Sequence, residues 1–143
     1  MKVTIKRVYE KPSGADGVRV LVDRLWPRGV SKSAARIDSW LRDLAPSHAL
    51  RRWYHARPTQ WLAFRKRYLE ELEAPAATRA LEELHDLASS SKMLTLVFAS
   101  RIQQHNNAAV LRDLLQGMRK PPSGTGPARA AASGRMRRAA RRR

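Results

Sequence analysis

Cysteine is the first residue type that the sequence lacks. The chain has 143 residues and no Cys, so disulfide bonds, thiolate metal sites and cysteine nucleophiles are excluded. Its four His residues are scattered and show no metal-ligand spacing. A phosphate-loop lysine motif, a dinucleotide-binding glycine pattern and a zinc pattern are also missing. We therefore predict neither a bound metal nor a cofactor.

A long apolar run is absent too. No stretch approaches the roughly 20 apolar residues that a helix needs to cross a bilayer. The opening stretch MKVTIKRVYE alternates apolar and polar side chains and lacks the apolar centre of a signal peptide. We therefore expect a cytoplasmic protein with no membrane partner, and the lack of Cys fits a reducing compartment.

Negative charge is scarce and unevenly placed. The formal net charge is +17, and nine of the 29 Lys and Arg residues but none of the 12 acids lie in residues 118–143, which leaves +8 on residues 1–117. Residues 18–67 alone hold twelve basic and three acidic residues. Such a concentrated positive field attracts polyanions and anionic ligands. The alternative is that these charges form an ordinary solvated surface.

Apolar patterning predicts an α/β fold. Two short runs, VRVLVD at 18–23 and MLTLVFAS at 93–100, are typical of buried strands, and a looser alternation predicts a first strand over residues 3–9. With the helices described below, the order is β-β-α-α-α-α-β-α. This order favours a small single-domain, largely parallel sheet with helices packed on it. Because two or three strands make a thin sheet, a further short strand could lie in or near residues 37–44.

Helical spacing of apolar residues predicts five helices. Their limits follow from capping residues, prolines and glycines. Ser47 is the expected cap of the second helix, Pro58 falls in the first turn of the third, and Pro75 ends it. The predicted helices cover residues 33–45, 48–56, 58–74, 77–91 and 105–117.

Residues 118–143 differ from the rest in composition. They are rich in Arg, Ala, Gly and Pro and contain almost no large apolar side chain. Such a segment buries too little surface to offset the entropy of ordering. We predict one domain at 1–117 followed by a disordered basic tail. The tail is either an arginine arm for nucleic acid or an extension with no specific role.

Polar side chains follow two of the predicted strands. Asp23 ends the second strand, and His105 follows the last one after a loop. If these strands are parallel, both residues lie at the carboxyl edge of the sheet, where open α/β folds bind ligands. We predict Asp23 and His105 as catalytic residues for proton transfer, because imidazole titrates near neutral pH. The predicted ligand-binding residues are Arg24, Trp26, Arg28, Arg101 and Asn106.

Each of these residue types suits an anionic or aromatic ligand. Guanidinium groups bind phosphate or carboxylate through paired hydrogen bonds, a helix N-terminus attracts anions, and the ring of Trp26 can stack on a base. The three other tryptophans fall on apolar helical faces, which favours core packing. The structural alternative is that Asp23 pairs with a neighbouring arginine and fixes the strand end, while His105 caps a helix.

Three stretches of the sequence carry a family resemblance. They are IKRVYEKPSGADGVRVLVDRLWPRGVSK, IDSWLRDLAPSHALRRWYHARPTQWLAFRKRYLEEL and LTLVFASRIQQHNNAAVLRDLL. The combination of DRLWPRG, LAPS and a strand followed by HNNA is specific. By these motifs the chain resembles the YeaO-like family of bacterial domains of unknown function. That resemblance implies a small cytoplasmic α/β domain and no particular activity. The family's motif positions are occupied at Asp23, Arg24, Trp26, Pro27, Arg28, Gly29, Trp40, Ala45, Pro46, Ser47, Trp53, Trp61, His105 and Asn106.

One position departs from the family pattern. The family usually has an acid three residues before the histidine, and this chain has Ile102 there. The change fits a weakened or lost active site, or a protein that never needed the acid. One hypothesis is therefore an enzyme or enzyme-like domain that acts on a nucleotide, nucleic acid, phosphorylated small molecule or other anionic ligand. The other is a non-catalytic module that binds nucleic acid through the basic middle stretch and the tail.

Overall fold

The part of the chain that the structure describes is built around a four-stranded parallel sheet. The computed structural model describes residues 2–117. The strand order is β1-β4-β2-β3, and every neighbouring pair is parallel. The predicted α/β class and parallel sheet are confirmed. The strands are β1 (Val3–Arg7), β2 (Val18–Leu21), β3 (Ser39–Trp40) and β4 (Leu94–Phe98).

Within residues 2–117, five α-helices accompany the sheet. Ser47 caps the second of them, as predicted, by accepting a hydrogen bond from the backbone N–H of Leu50 at 3.1 Å. No helix within residues 2–117 is both long and apolar enough to span a bilayer. The predicted disorder of the tail falls outside the described residues. The helices are α1 (Lys32–Ala35), α2 (His48–Ala56), α3 (Trp61–Glu71), α4 (Pro75–Ser89) and α5 (Asn107–Gly117).

The predicted helix over residues 33–45 is wrong. Helix α1 ends after one turn because Arg36 adopts a left-handed conformation, with φ at 50°. The chain then extends along the open edge of β2, where the N–H of Leu41 donates to the carbonyl of Leu21 at 3.0 Å. This extension contains β3, the short strand suspected in that segment, and a single 3₁₀ turn follows at Arg42–Leu44. Pairing with β2 satisfies backbone groups that a helix would have bonded internally.

Two prolines have different roles from those predicted. Pro58 lies in a turn closed by a hydrogen bond from the N–H of Gln60 to the carbonyl of Arg57 at 2.9 Å, and α3 begins only at Trp61. Proline favours this second position of a turn because its φ is already fixed. Pro75 stands at the first turn of α4, where its missing N–H costs nothing.

The two faces of the sheet have different coverings. Helices α2 to α5 cover one face and enclose the larger core cluster, to which Leu94, Leu96 and Phe98 contribute from β4. The segment after β2 covers the other face, where Leu21 and Val97 pack with other apolar side chains that include two tryptophans. Because β4 lies between two strands and is covered on both faces, all five of its residues are buried. This explains why its sequence does not alternate.

A buried ion cluster lies on the second face, beside the smaller core. The carboxylate of Asp16 accepts hydrogen bonds from Arg19 Nη1 at 2.6 Å and from Lys6 Nζ at 3.1 Å. Its backbone carbonyl accepts one from Thr95 Oγ1 at 2.7 Å. Burial raises the pKa of Asp16, but hydrogen bonds from the Ser13 N–H, Lys6 and Arg19 outweigh it, so that the pKa is lowered overall. The cluster holds the loop between β1 and β2 onto the sheet.

Candidate functional site

Asp23 joins several elements at the carboxyl edge of the sheet. Its Oδ2 atom accepts a hydrogen bond from the backbone N–H of Ala99 at 2.8 Å, just after β4. Its Oδ1 atom accepts one from Asn107 Nδ2 at 3.2 Å, at the start of α5. Its backbone carbonyl accepts one from Trp40 Nε1 at 2.7 Å, in β3. One residue therefore ties the end of β2 to both neighbouring strands and to a helix.

The surroundings of the Asp23 carboxyl group disfavour its charged form. Burial raises its pKa, and the Ala99 N–H, the Asn107 amide and the positive charge of Arg51 only partly oppose that shift. No ion pair joins Asp23 to Arg24 or Arg28 within residues 2–117. The arginine partner of the structural alternative is therefore absent, and a backbone N–H and a side-chain amide donate to the carboxylate instead. These neutral donors stabilise its charged form without a second buried charge.

The residues after Asp23 are used mainly for packing. Arg24 Nη2 donates to the carbonyl of Ala45 at 3.0 Å, and its buried Nε has no partner among the described residues. Trp26 Nε1 donates to the carbonyl of Val30 at 2.6 Å. The ring of Trp26 packs edge-on against Trp40, with centroids 5.6 Å apart. Of the residues predicted in this turn, Arg28 has an exposed side chain, and its carbonyl accepts a hydrogen bond from Tyr9.

His105 lies at the same edge but is exposed. Its ring stacks on Trp61, with centroids 4.7 Å apart and planes 12° apart. Its backbone carbonyl accepts a hydrogen bond from Tyr54 Oη at 3.0 Å. The stacked rings border a cleft of about 490 Å³ that also contacts Ile5 and Arg112. The imidazole thus faces a separate cleft, and Asp23 does not line it.

Asn106 and Ile102 define the start of α5. Asn106 Oδ1 accepts a hydrogen bond from the N–H of Ala109 at 2.9 Å, which makes it a helix cap. Its Nδ2 donates to the carbonyl of Ile102 at 2.7 Å. Ile102 is half-buried and packs against the larger core. Arg101 beside it is exposed.

Asp23 and His105 both follow parallel strands and so lie at the same edge of the sheet. No hydrogen bond links their side chains within residues 2–117. Sequence reasoning did not identify Arg51, whose charge acts on Asp23, or Trp61, which supports His105. Arg51 lies on α2 and Trp61 on α3, far in sequence from Asp23 and His105. No local pattern therefore indicates that they pack at this edge. Proton transfer by Asp23 and His105 stays a prediction.

A second groove lies between α2 and α3. Trp53 contributes its half-buried ring, and the guanidinium carbons of Arg67 and Arg57 lie 4.1 Å and 5.4 Å from the ring centroid. Glu71 accepts hydrogen bonds from the backbone N–H and the hydroxyl of Ser47, at 2.8 Å and 2.6 Å. The groove has a volume of about 540 Å³ and is lined by Ser47, Ala49, Leu50, Trp53, Arg67, Glu70 and Glu71.

The basic middle stretch remains largely unneutralised on the surface. Nine of its cations are exposed, and the ion pairs found within residues 2–117 use other cations. Five of the nine lie on α2, at its C-cap or on α3; we call them the α2–α3 cations. They are Arg51, Arg52, Arg57, Lys66 and Arg67.

Within residues 2–117, no three His, Asp or Glu side chains come together in a way that could hold a metal ion. The features that the structure does bring together are a polar carboxyl edge, two grooves bordered by tryptophan rings, and the α2–α3 cations.

This arrangement defines a small parallel α/β domain with its polar residues at the carboxyl edge. The chain belongs to the DUF488-N3i family, described as the inactive DUF488-N3 subclade, which matches residues 2–131. It is 46% identical over 116 residues to the uncharacterised protein Rv3073c of Mycobacterium tuberculosis, covering 81% of this chain and 95% of that protein. It is 36% identical over 118 residues to the uncharacterised protein YeaO of Escherichia coli, covering 82% of this chain and 100% of YeaO. The predicted membership of a YeaO-like family is confirmed. No solved structure matches the chain.

Proposed function

We propose that this domain is a non-catalytic module that binds the phosphate backbone of nucleic acid through the α2–α3 cations. The observation that carries the proposal is that these five exposed side chains form no ion pair within residues 2–117. Cations that are not neutralised within the protein remain available for phosphates. Binding then releases the counterions condensed on the nucleic acid, which favours association at moderate salt.

The contacts of Asp23 and His105 support binding more than catalysis. A general base must lie within hydrogen-bond reach of the proton that it removes from its substrate. Asp23 lines neither of the two grooves described above, and its carboxylate accepts hydrogen bonds from Ala99 and Asn107. The ring of His105 stacks on Trp61 and borders a cleft that Asp23 does not line. The family description as an inactive subclade agrees with a role that does not require turnover.

The proposal is tested by measuring affinity for labelled duplex and single-stranded DNA over a range of salt concentrations. We expect the logarithm of the binding constant to fall linearly with the logarithm of salt concentration, with a slope of about −0.9 for each duplex phosphate neutralised. A salt-independent affinity, or no binding at low salt, would contradict the proposal.

Charge-neutralising variants locate the surface. Changing Arg51 and Arg52 together to Gln removes two α2–α3 cations and should reduce the salt slope by about 0.9 for each. The matched control changes Arg79 and Lys92 to Gln, since these cations are also exposed but lie on α4 and before β4. A chain ending at Gly117 tests the basic tail separately. If only that truncation weakens binding, the α2–α3 cations are not the interface.

A further inference from the structure

The groove between α2 and α3 combines an indole ring, guanidinium groups and a carboxylate. We infer that it binds a nucleobase with an exocyclic amino group, presented by a single-stranded stretch of nucleic acid. The inference rests on the proposed function, because it assigns the form of nucleic acid and one base contact to the surface that carries the α2–α3 cations. The volume of about 540 Å³ is ample for one base.

Trp53 supplies a stacking platform that is already fixed in place. Its ring packs on the larger core from α2 while one side lines the groove. A base can stack on such a ring whatever its identity, because every base has an aromatic face. Since core packing holds the indole, little side-chain entropy is lost when a base arrives.

The guanidinium of Arg67 marks where the base stacks. Its central carbon lies 4.1 Å from the centroid of Trp53, and the side chain is exposed. A flat cation at that distance occupies the position that a flat base would take. Stacking of a base on indole is stronger than an exposed cation–π contact, so the exchange is favourable. The displaced Arg67 remains on the groove wall and can bind the phosphate of the same nucleotide.

Glu70 supplies the polar contact that selects the base. It lies three residues after Arg67 on α3 and therefore on the same side of the helix. Glu71 is engaged by Ser47, whereas the exposed carboxylate of Glu70 accepts no hydrogen bond from the described residues. A carboxylate accepts from the amino group of cytosine or adenine, while thymine presents a carbonyl oxygen at the corresponding position. Homopolymers of dC and dA should therefore bind better than dT.

A base in a duplex cannot reach this groove. Its faces are covered by neighbouring base pairs, and its amino group is used in pairing, so entry would require unstacking. Duplex DNA would then contact the α2–α3 cations through phosphates alone. The structure thus predicts a preference for single strands that depends on Trp53 and is separate from the salt-dependent contribution to binding.

The test compares full-length protein and variants for binding to labelled dC, dA and dT homopolymers and a duplex of equal length at one salt concentration. Trp53→Leu should weaken binding of dC and dA about tenfold and leave duplex binding nearly unchanged. Trp53→Phe, which keeps a ring and the core contact, should lose less. Glu70→Gln should reduce the preference for dC and dA over dT. Glu83→Gln, also exposed but on α4, is its control.

The outcomes separate the inference from the proposed function. If the homopolymers and the duplex bind alike and the Trp53 and Glu70 variants change nothing, the groove does not bind a base and the inference is wrong. Salt-dependent binding would still support the proposed contact with the phosphate backbone. If Trp53→Leu weakens duplex and single strands equally, although thermal melting shows a folded protein, the groove is not selective for single strands and the inference fails. If no nucleic acid binds, both proposals fail together.

Discussion

The Oδ2 atom of Asp23 lies 2.8 Å from the backbone nitrogen of Ala99 and accepts its hydrogen bond. The contact bridges the ends of two adjacent parallel strands, β2 and β4, where their ladder stops. An acid in the most conspicuous motif of the chain is therefore part of the framework, together with Asn107 and Trp40.

Replacing Asp23 by Asn should destabilise the fold by about 1–3 kcal/mol. An amide has only one acceptor oxygen, so its NH₂ group must face either the Ala99 N–H or the Asn107 amide. Urea unfolding measures the loss. Asp86→Asn is the control, because Asp86 is exposed on α4 and its side chain accepts no hydrogen bond within the described residues. Equal stability of the two variants would show that the Asp23 contacts contribute little.

Stability should depend on pH in opposite ways through Asp16 and Asp23. The pKa of Asp16 is lowered from 3.8 on folding, so its contribution is present above that value and is lost as pH falls through the lower folded pKa. The pKa of Asp23 is raised from 3.8, so the folded state binds the proton more tightly, and stability increases as pH falls from the folded pKa towards 3.8.

Two variants separate these contributions in urea unfolding measured across the acidic range. Asp23→Asn should remove the increase in unfolding free energy above pH 3.8, and Asp16→Asn should remove the loss below it. Should Asp23→Asn leave the pH profile of the unfolding free energy unchanged, the burial of that carboxyl group would not control its ionisation.

Asp16→Ala should cost about 3–5 kcal/mol, because it leaves a buried arginine without its carboxylate. Arg19 is only 3% exposed and lies 2.6 Å from Asp16. A second change, Arg19→Met, removes the unpaired charge and keeps an unbranched apolar chain. We expect the double variant to recover part of the loss, as measured by a double-mutant cycle. Additive losses would show that the two residues are not coupled.

Three glycines should respond to alanine in a graded way. Gly17→Ala is the most harmful: φ is 66° and the new Cβ would lie 2.1 Å from the Met93 carbonyl oxygen. We expect a loss above about 2 kcal/mol. Gly29→Ala has the same kind of strain, with φ at 76°, but open space around it, so about 1 kcal/mol is expected. Gly14→Ala meets neither obstacle and should be nearly neutral. Thermal melting ranks the three, and a reversed order for Gly14 and Gly17 would contradict this explanation.

The local sequence pattern was sufficient to predict secondary structure where one short apolar run formed one element. Residues 93–100 contain a run too short for a buried helix and rich in strand-forming side chains, and β4 forms there. The same reasoning failed at residues 33–45, where Ile37, Trp40, Leu41 and Leu44 have helical spacing. In the structure Ile37 and Trp40 pack on one face of the sheet, and Leu41 and Leu44 on the other. The segment forms a strand there because it pairs with the open edge of β2, which lies outside the local sequence window.

The position of the candidate site was predictable to the level of the sheet edge. The rule for carboxyl ends of parallel strands placed Asp23 and His105 correctly. It could not say that Asp23 would be bonded to Ala99, or that His105 would lie over Trp61, because those contacts depend on how the helices pack. Likewise, the contact of the Arg67 guanidinium with the Trp53 ring could not be predicted, because it forms only when α2 and α3 lie side by side.

The strand order also bears on self-association. Sheets aggregate when an exposed edge strand offers its unpaired backbone groups to another copy. Here one edge is β3, which has only two residues, and the other is β1, which carries Lys6 and Arg7. A very short edge and a charged edge are both poor templates for adding a strand. The sheet is thus protected at both margins against growth into a continuous intermolecular ribbon.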